Sequence, residues 1–232
     1  PCARVAAYGR GVRRACFVTD GSRLILPGPR LDGESLAHLI VDEKVTVAAG
    51  VPTIWLGLLD ALDALGERPE SFRRTIVGGS ALPPSMRAAF RDRYGVELVH
   101  AWGMTEMSPL GTLCTLKEKH KDLPEEDKMK LRMKQGRAIF GVDMKIVGDN
   151  GEELPWDGKT YGDLYVKGPW ILDTYFKGEG GNPLVDGWFP TGDVATIDAD
   201  GFMQITDRSK DVIKSGGEWI SSIDIENIAV AH

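Results

Sequence analysis

An alternation of short apolar segments and helical apolar stripes between Leu31 and Gly103 constrains the fold more than any other feature of the sequence. Residues 45–49, 74–77 and 96–103 are rich in β-branched residues and are typical of buried strands. Helical patterns separate these segments, which gives a β-α-β-α-β order. This order predicts an α/β fold with a parallel sheet, right-handed crossovers and a ligand crevice beyond the carboxyl ends of the strands.

The helices of this region are predicted from their caps and their apolar faces. Asp32 can cap the first helix, Pro52 can begin the second, and the third follows Pro83. The residues predicted to face inward are Leu36, Leu39, Ile40, Ile54, Leu58, Leu62, Leu65, Met86, Ala89 and Phe90. Two loops then follow strands at their carboxyl ends: GGSA, from Gly78, and HAWGMTE, from His100.

The chain changes character after Gly111. Residues 116–134 are dense in charge, which indicates a solvated loop or helix. Beyond them, residues 141–153, 161–168 and 193–206 form short β-like runs with Asn-Gly and Asp-Gly turns. This pattern predicts an antiparallel sheet or a small barrel.

Composition excludes several classes of protein. The formal net charge of −6 argues against a nucleic-acid-binding surface, although a phosphorylated small ligand remains compatible with it. The 3 cysteines are scattered, which predicts neither a disulfide framework nor a zinc site. No apolar run reaches the ~18 residues of a membrane span. We expect a cytoplasmic protein with no transmembrane segment.

The HAWGMTE loop places nucleotide-binding residue types directly after a strand. Trp102 can stack on a base, and Gly103 allows the backbone to approach a ligand closely. Thr105 can bond a phosphate oxygen, and Glu106 can hold Mg²⁺, which prefers one or two carboxylates together with phosphates. The alternative for Glu106 is a cap of the following segment.

In GWFPTGDVA, Asp193 follows a Thr-Gly turn and precedes a strand. An ionised carboxylate accepts two hydrogen bonds at once, which suits a vicinal diol such as that of ribose. An Asx turn is the alternative interpretation of the same pattern.

Several other segments resemble known binding motifs but lack the residues or the spacing that those motifs require. DADGF begins like a calcium loop, but Met203 and Ser209 occupy the positions that require glycine and glutamate. KGEGGNP lacks the spacing of a phosphate-binding P-loop, and the 4 histidines have neither metal-ligand nor hydrolytic-triad spacing.

Several segments together resemble the motifs of the adenylate-forming superfamily, in matching order and spacing: VGGSALP, HAWGMTEMSPLG, YGDLYVKG, GWFPTGDVATIDADGF and DRSKDVIKSGGEWIS. The likeness is strongest to bacterial medium- and long-chain fatty-acyl-CoA synthetases and methylmercaptopropionate-CoA ligases. It implies part of a large N-terminal domain, with a parallel α/β layer and a β-rich, barrel-like subdomain, followed by the beginning of a small C-terminal domain. The corresponding ranges are 1–112, 113–206 and 207–232.

The resemblance implies ATP-dependent activation of a carboxylic acid as an acyl-adenylate, followed by transfer to coenzyme A. The cofactors are then ATP, Mg²⁺ and coenzyme A, the acid is medium-chain, long-chain or methylmercaptopropionate-like, and enzymes of this type are often homodimers. The roles implied are magnesium binding by Glu106, phosphate binding by Thr105 and adenine stacking by Trp102. The residues matching the remaining pocket and ribose positions are Gly79, Ser80, Ala81, Asp193 and Arg208.

The last segment resembles the hinge of the same superfamily. Lys210 matches the hinge residue about which the small domain rotates. Lys214, Gly216 and Gly217 match positions used after the rotation, when the thiol enters, and Glu218 and Trp219 are weaker candidates.

The sequence lacks two motifs of the family and differs from it at two further positions. The phosphate loop ending in lysine and the distal catalytic lysine are not among these residues, and Arg4 and Tyr8 stand where histidine and tryptophan are common. We expect a piece of a longer protein that forms no thioester by itself. Two alternatives stay open: a non-catalytic nucleotide-binding remnant, and an adenylation domain that loads a carrier protein.

Overall fold

The computed structural model describes residues 4–7, 23–66, 68–208, 213–215 and 218–220. The chain divides into two compact units, Pro1–His100 and Ala101–His232. The subdomain boundaries predicted after residues 112 and 206 stay predictions. In the part of the chain described, no helix combines the length and the apolar composition that crossing a membrane requires.

The first unit is built on a parallel sheet. Its strands are β1 (Arg4–Ala7), β2 (Arg23–Ile25), β3 (Val47–Gly50), β4 (Arg74–Val77) and β5 (Glu97–Gly103). They pair in the order β2-β1-β3-β4-β5, and all of these pairings are parallel. The predicted α/β arrangement is therefore confirmed.

Three helices connect the strands of this unit: α1 (Gly33–Asp42), α2 (Pro52–Leu65) and α3 (Pro84–Ala89). The Asp32 carboxylate accepts a 2.8 Å hydrogen bond from the Ser35 amide, which confirms the predicted cap of α1. Gly66 ends α2 with a left-handed φ of 65°. The apolar faces of the helices are buried in one cluster that includes Ile40, Leu58 and Phe90.

Some local expectations in this unit were wrong. The third helix is not continuous, because α3 passes into a π-helical turn at Phe90–Tyr94 that ends at Gly95, with a left-handed φ of 67°. Leu65 is 37% exposed because it is the last residue of α2. The strand predicted from Val45 begins at Val47, since the Val45 amide bonds to the Ile40 carbonyl at 3.0 Å after the end of α1.

The second unit begins with a hairpin. β6 (Leu110–Leu113) pairs antiparallel with the end of β5, and β7 (Arg137–Ala138) pairs with β6. The helix α4 (Glu125–Met133) lies between β6 and β7 in the chain and buries none of its residues. The charge-dense segment, predicted to be a solvated loop or helix, therefore contains a helix with no buried residue.

A four-stranded antiparallel sheet forms the rest of this unit. Its strands are β8 (Asp143–Val147), β9 (Tyr161–Lys167), β10 (Phe189–Ile197) and β11 (Met203–Arg208), in the order β11-β10-β9-β8. Alternate residues, such as Leu164 and Val166, are buried in a second apolar cluster. Near the end of the chain, β12 (Ile213–Ser215) pairs antiparallel with β13 (Glu218–Ile220).

A charged cluster holds the turn between β10 and β11. The Asp200 carboxylate pairs with Lys117, Lys119 and His120. The Lys117 amide donates to His120 Nδ1 at 3.3 Å, so the imidazole proton lies on Nε2, which donates to Asp200. The hydrogen bond from Lys119, with those from His120 and Lys117, holds the pKa of Asp200 well below its usual range.

Candidate functional site

The loop after β5 needs glycine because of its own backbone. A Cβ added to Gly103 would lie 1.9 Å from the carbonyl oxygen of Pro109, where the chain turns back toward β6. One 3-10 turn, Thr105–Met107, follows. Thr105 is exposed, Glu106 is half-buried and Met107 is fully buried. The turn thus presents the two polar residues of the motif beside an apolar anchor.

Trp102 is buried and hydrogen-bonded within the second unit. The indole packs closely against Gly111 on β6. A Cβ added to Gly111 would lie 2.8 Å from the indole ring and 2.2 Å from Met107 Cε. The residue is 8% exposed, and its indole Nε1 donates a 2.9 Å hydrogen bond to Asp193 Oδ2. Trp102 therefore orients a carboxylate, whereas its predicted stacking on adenine stays a prediction.

Asp193 lies at an irregularity of β10. The register of β10 against β9 shifts between Pro190 and Val194. Within this bulge, the Thr191 hydroxyl donates to the Leu164 carbonyl at 2.9 Å, and the Asp193 amide donates to that hydroxyl at 3.1 Å. Asp193 therefore lies within a break of the β9–β10 ladder, and such irregularities are common beside functional sites.

The charge of Asp193 is costly to bury. Its side chain is 10% exposed. Burial raises the pKa of Asp193, and this effect outweighs the opposing effects of the Trp102 hydrogen bond and the Arg208 cation. The carboxylate is thus kept in a place that does not favour its charge, and such perturbed groups concentrate at functional sites.

Arg208 lies directly opposite Asp193 in the β10–β11 ladder. Its guanidinium Nε is 3.4 Å from Asp193 Oδ1, while the side chain is 75% exposed. The ion pair therefore leaves most of the guanidinium accessible to a ligand. The structure brings together Trp102, Asp193 and Arg208, which the sequence predicted for one nucleotide.

Glu106 has a partner that the sequence did not indicate. The Tyr175 hydroxyl donates a 3.1 Å hydrogen bond to Glu106 Oε1, and burial together with this hydrogen bond raises the pKa of Tyr175. No local motif marks Tyr175, and the two residues are separated by 69 positions in the chain.

The carboxylate oxygens of Glu106 suit a Mg²⁺ ion that is bound mainly by phosphates. Its Oε2 accepts no hydrogen bond from any residue that the structure describes. Within those same residues, no group of three or more His, Cys, Asp or Glu side chains forms a metal cage. One available carboxylate oxygen suits Mg²⁺, which keeps waters and binds substrate phosphates rather than a cage of protein ligands.

The GGSA loop belongs to the first unit. Gly79 has a left-handed φ of 86°, and a Cβ added there would lie 3.1 Å from Val51 Cγ1. Ser80 and Ala81 are exposed. Glycine is thus required by the turn itself, and the adenine and acyl contacts predicted for these residues stay predictions.

The predicted hinge is described only in part. Lys210, Gly216 and Gly217 lie outside the described residues. The backbone of Lys214 pairs with that of Trp219 in the ladder between β12 and β13. Their predicted roles during domain rotation therefore stay predictions.

Comparison with known proteins identifies the family. The AMP-binding enzyme family matches residues 7–176. The 3-methylmercaptopropionyl-CoA ligase of Ruegeria pomeroyi is 60% identical over 222 residues, which cover 96% of this chain and 41% of that protein. The medium-chain-fatty-acid–CoA ligase of Ectopseudomonas oleovorans is 55% identical over 232 residues, which cover 100% of this chain and 42% of that protein.

A solved structure extends the likeness to the fold. The O-succinylbenzoate coenzyme A synthetase MenE of Bacillus subtilis, in complex with ATP and magnesium ion, matches with a TM-score of 0.78 and 26% identity, over 99% of this chain and 46% of that one. The chain spans about 40% of the length of the curated relatives it matches. On these matches, the chain belongs to the AMP-binding enzyme family.

Proposed function

We propose that the protein containing this chain is an ATP-dependent carboxylate–coenzyme A ligase. In the first step a carboxylate oxygen attacks the α-phosphorus of ATP, and the bond to pyrophosphate breaks. In the second step the thiol sulfur attacks the acyl carbonyl, AMP leaves, and the thiol proton is released. The products are the acyl thioester, AMP and pyrophosphate.

One observation supports this proposal more than any other. The hydrogen bond from Trp102 to Asp193 and the ion pair from Arg208 hold a largely buried carboxylate in place within the second unit. A carboxylate fixed by two protein groups accepts hydrogen bonds from a vicinal diol without first having to be ordered, which is the advantage of preorganisation. We assign ribose binding to Asp193 on this ground.

The remaining residues supply charge and orientation around the phosphates. Glu106 Oε2 is available to hold Mg²⁺, and the exposed Thr105 hydroxyl can donate to a phosphate oxygen. Bound Mg²⁺ would neutralise negative charge on the phosphate oxygens. Arg208 presents an accessible cation beside the diol-binding carboxylate. Together these groups would orient the α-phosphate toward the incoming carboxylate.

The substrate in this proposal is an aliphatic carboxylic acid, and the acceptor is coenzyme A. Relatives named 3-methylmercaptopropionyl-CoA ligase and medium-chain-fatty-acid–CoA ligase, at 60% and 55% identity, support this choice. A cytoplasmic location belongs to the same proposal, and the buried Cys114 thiol, which donates to the Leu131 carbonyl, is compatible with a reducing compartment. A homodimer is proposed as well, and light scattering of the purified protein tests it.

The test is made on the full-length protein. Glu106→Ala should abolish most of the carboxylate-dependent pyrophosphate release, and undiminished release would contradict the role of Glu106. A phosphopantetheinyl carrier protein is compared with coenzyme A as the acceptor. Transfer to the carrier alone would replace the proposal with a carrier-loading adenylation domain, and AMP binding without turnover would indicate a nucleotide-binding remnant.

A further inference from the structure

The segment from Trp170 to Tyr175 runs beside the loop that carries Glu106. Three hydrogen bonds join them within the second unit. The Leu172 amide donates to the Glu106 carbonyl at 2.7 Å, the Tyr175 hydroxyl donates to Glu106 Oε1 at 3.1 Å, and the Trp170 indole donates to the Leu110 carbonyl at 3.4 Å. Both the backbone and the side chain of Glu106 are therefore bound by the same segment.

The segment has a fixed support. Trp170, Ile171 and Leu172 pack against the apolar cluster of the second unit. Gly141 lies directly against the indole of Trp170, because a Cβ added there would be 2.7 Å from the ring. Burial and close packing thus define where the segment lies, and they bring the half-exposed Tyr175 to the Glu106 carboxylate.

This arrangement distinguishes the two oxygens of Glu106. Oε1 accepts the tyrosine hydroxyl, whereas Oε2 accepts nothing from the residues that the structure describes. Metal-binding carboxylates are typically held by such outer hydrogen bonds, which fix their orientation. Without the hydroxyl, the carboxylate can rotate and its position must be ordered when the ligand binds.

We propose that Tyr175 is a positioning residue for Glu106, whose hydroxyl holds one carboxylate oxygen and leaves the other for magnesium–ATP. This inference rests on the proposed function of the same site. It assigns to the protein a tyrosine that acts on magnesium binding through Glu106 and makes no contact with the reacting atoms.

The test measures ATP binding by calorimetry over a range of Mg²⁺ concentrations, using full-length wild-type protein and Tyr175→Phe. We expect the Mg²⁺ concentration for half-maximal ATP binding to rise about tenfold in Tyr175→Phe, in the range typical for the loss of an outer-shell partner. AMP binding without Mg²⁺ should change less than about twofold, because the Asp193 contacts remain. Tyr165→Phe is the matched control, since its ring lies on β9 and its hydroxyl has no partner among the described residues.

A double-mutant cycle separates positioning from a purely structural role. If Tyr175 acts through Glu106, Tyr175→Phe should have no further effect on the Mg²⁺ dependence of a Glu106→Gln protein. An unchanged Mg²⁺ dependence in the single variant, or an equal effect in the Glu106→Gln background, would overturn the inference. Failure of the wild-type protein to bind ATP or to form thioester would instead overturn the proposed function.

Discussion

The indole Nε1 of Trp102 lies 2.9 Å from Asp193 Oδ2 and donates to it, although the two residues are separated by 91 positions in the chain. The HAWGMTE loop and the TGD bulge are thereby joined in one unit. The sequence predicted that both motifs serve the same nucleotide, and it assigned Trp102 to the base and Asp193 to the sugar. The hydrogen bond shows that Trp102 orients the carboxylate, whereas its stacking on the base stays a prediction.

Trp102→Phe tests this orienting role because it keeps an aromatic ring and removes the donor. We expect the affinity for AMP to fall about tenfold, which corresponds to about 1.4 kcal/mol for one hydrogen bond to a charged group. Calorimetry with AMP measures the effect. Trp156→Phe is the control, since Trp156 is 41% exposed and its ring lies near Gly201, in the turn after β10, with no hydrogen bond to Asp193 among the described residues. An unchanged affinity in Trp102→Phe would mean that the ring alone matters.

Asp193→Asn should weaken AMP binding by about tenfold or more, because a charge-assisted acceptor for the diol is lost. Its effect on stability should depend on pH. The folded-state pKa of Asp193 is raised above its usual value of 3.8, so the native state binds more protons than the unfolded state between these two values. The stability contributed by this group therefore falls as the pH rises through that window.

The Asp193→Asn variant has no carboxyl group at this position, so this dependence of stability on pH is lost. The unfolding free energy of Asp193→Asn, relative to wild type, should therefore increase as the pH rises from below 3.8 to neutrality. Urea denaturation at several pH values measures it, with the exposed Asp149→Asn as the control. A relative stability that decreases with rising pH would contradict the raised pKa of Asp193.

The stability that Asp200 contributes should change with pH in the opposite direction. Because the folded-state pKa of Asp200 is lowered from 3.8, its stabilising effect is present above that value and is lost as the pH falls below it. Asp200→Asn should lower the unfolding free energy by about 1–2 kcal/mol at neutral pH, chiefly by weakening the bond to buried His120. The deficit should disappear in acid. Asp122→Asn, at an exposed site nearby, should show neither effect, and a deficit independent of pH would contradict the ion-pair explanation.

Gly33 and Gly57 make a matched pair in the first unit. A Cβ added to Gly33 would lie 1.9 Å from the Gly57 carbonyl oxygen, whereas one added to Gly57 would meet nothing nearer than 3.8 Å. Gly33→Ala should therefore separate α1 from α2 and cost about 1–3 kcal/mol. Gly57→Ala, inside α2, should stabilise by about 0.5–1 kcal/mol through helix propensity. Thermal unfolding measures both, and equal effects would contradict this packing of the helices.

Local patterns predicted much of the fold because local interactions set it. The Asp32 cap depends on an amide only three residues away, and the β-branched run at residues 74–77 forms a strand as expected. The π-helical turn at Phe90–Tyr94 carries no such signal, because its residues also suit an ordinary helix. Pattern therefore predicted the elements, whereas the π-helical turn and the start of β3 at Val47 had no signal in the sequence.

The sequence likewise predicted part of the candidate site and missed one residue of it. Trp102, Asp193 and Arg208 were found through motifs, and the structure brings them together. Tyr175 was missed because its relation to Glu106 exists only after the segment that follows β9 has packed against the β5–β6 hairpin. A contact across 69 positions, made by one hydroxyl, leaves no periodicity or spacing in the sequence.

The central claim is that this site activates a carboxylic acid with ATP. The most direct measurement incubates the full-length protein with ATP, Mg²⁺, octanoate and coenzyme A, and quantifies the nucleotides and the thioester by chromatography. We predict AMP and octanoyl-CoA in equal amounts, with no AMP formed when the acid is omitted. Formation of ADP in proportion to thioester, or AMP release that does not depend on a carboxylic acid, would contradict the claim.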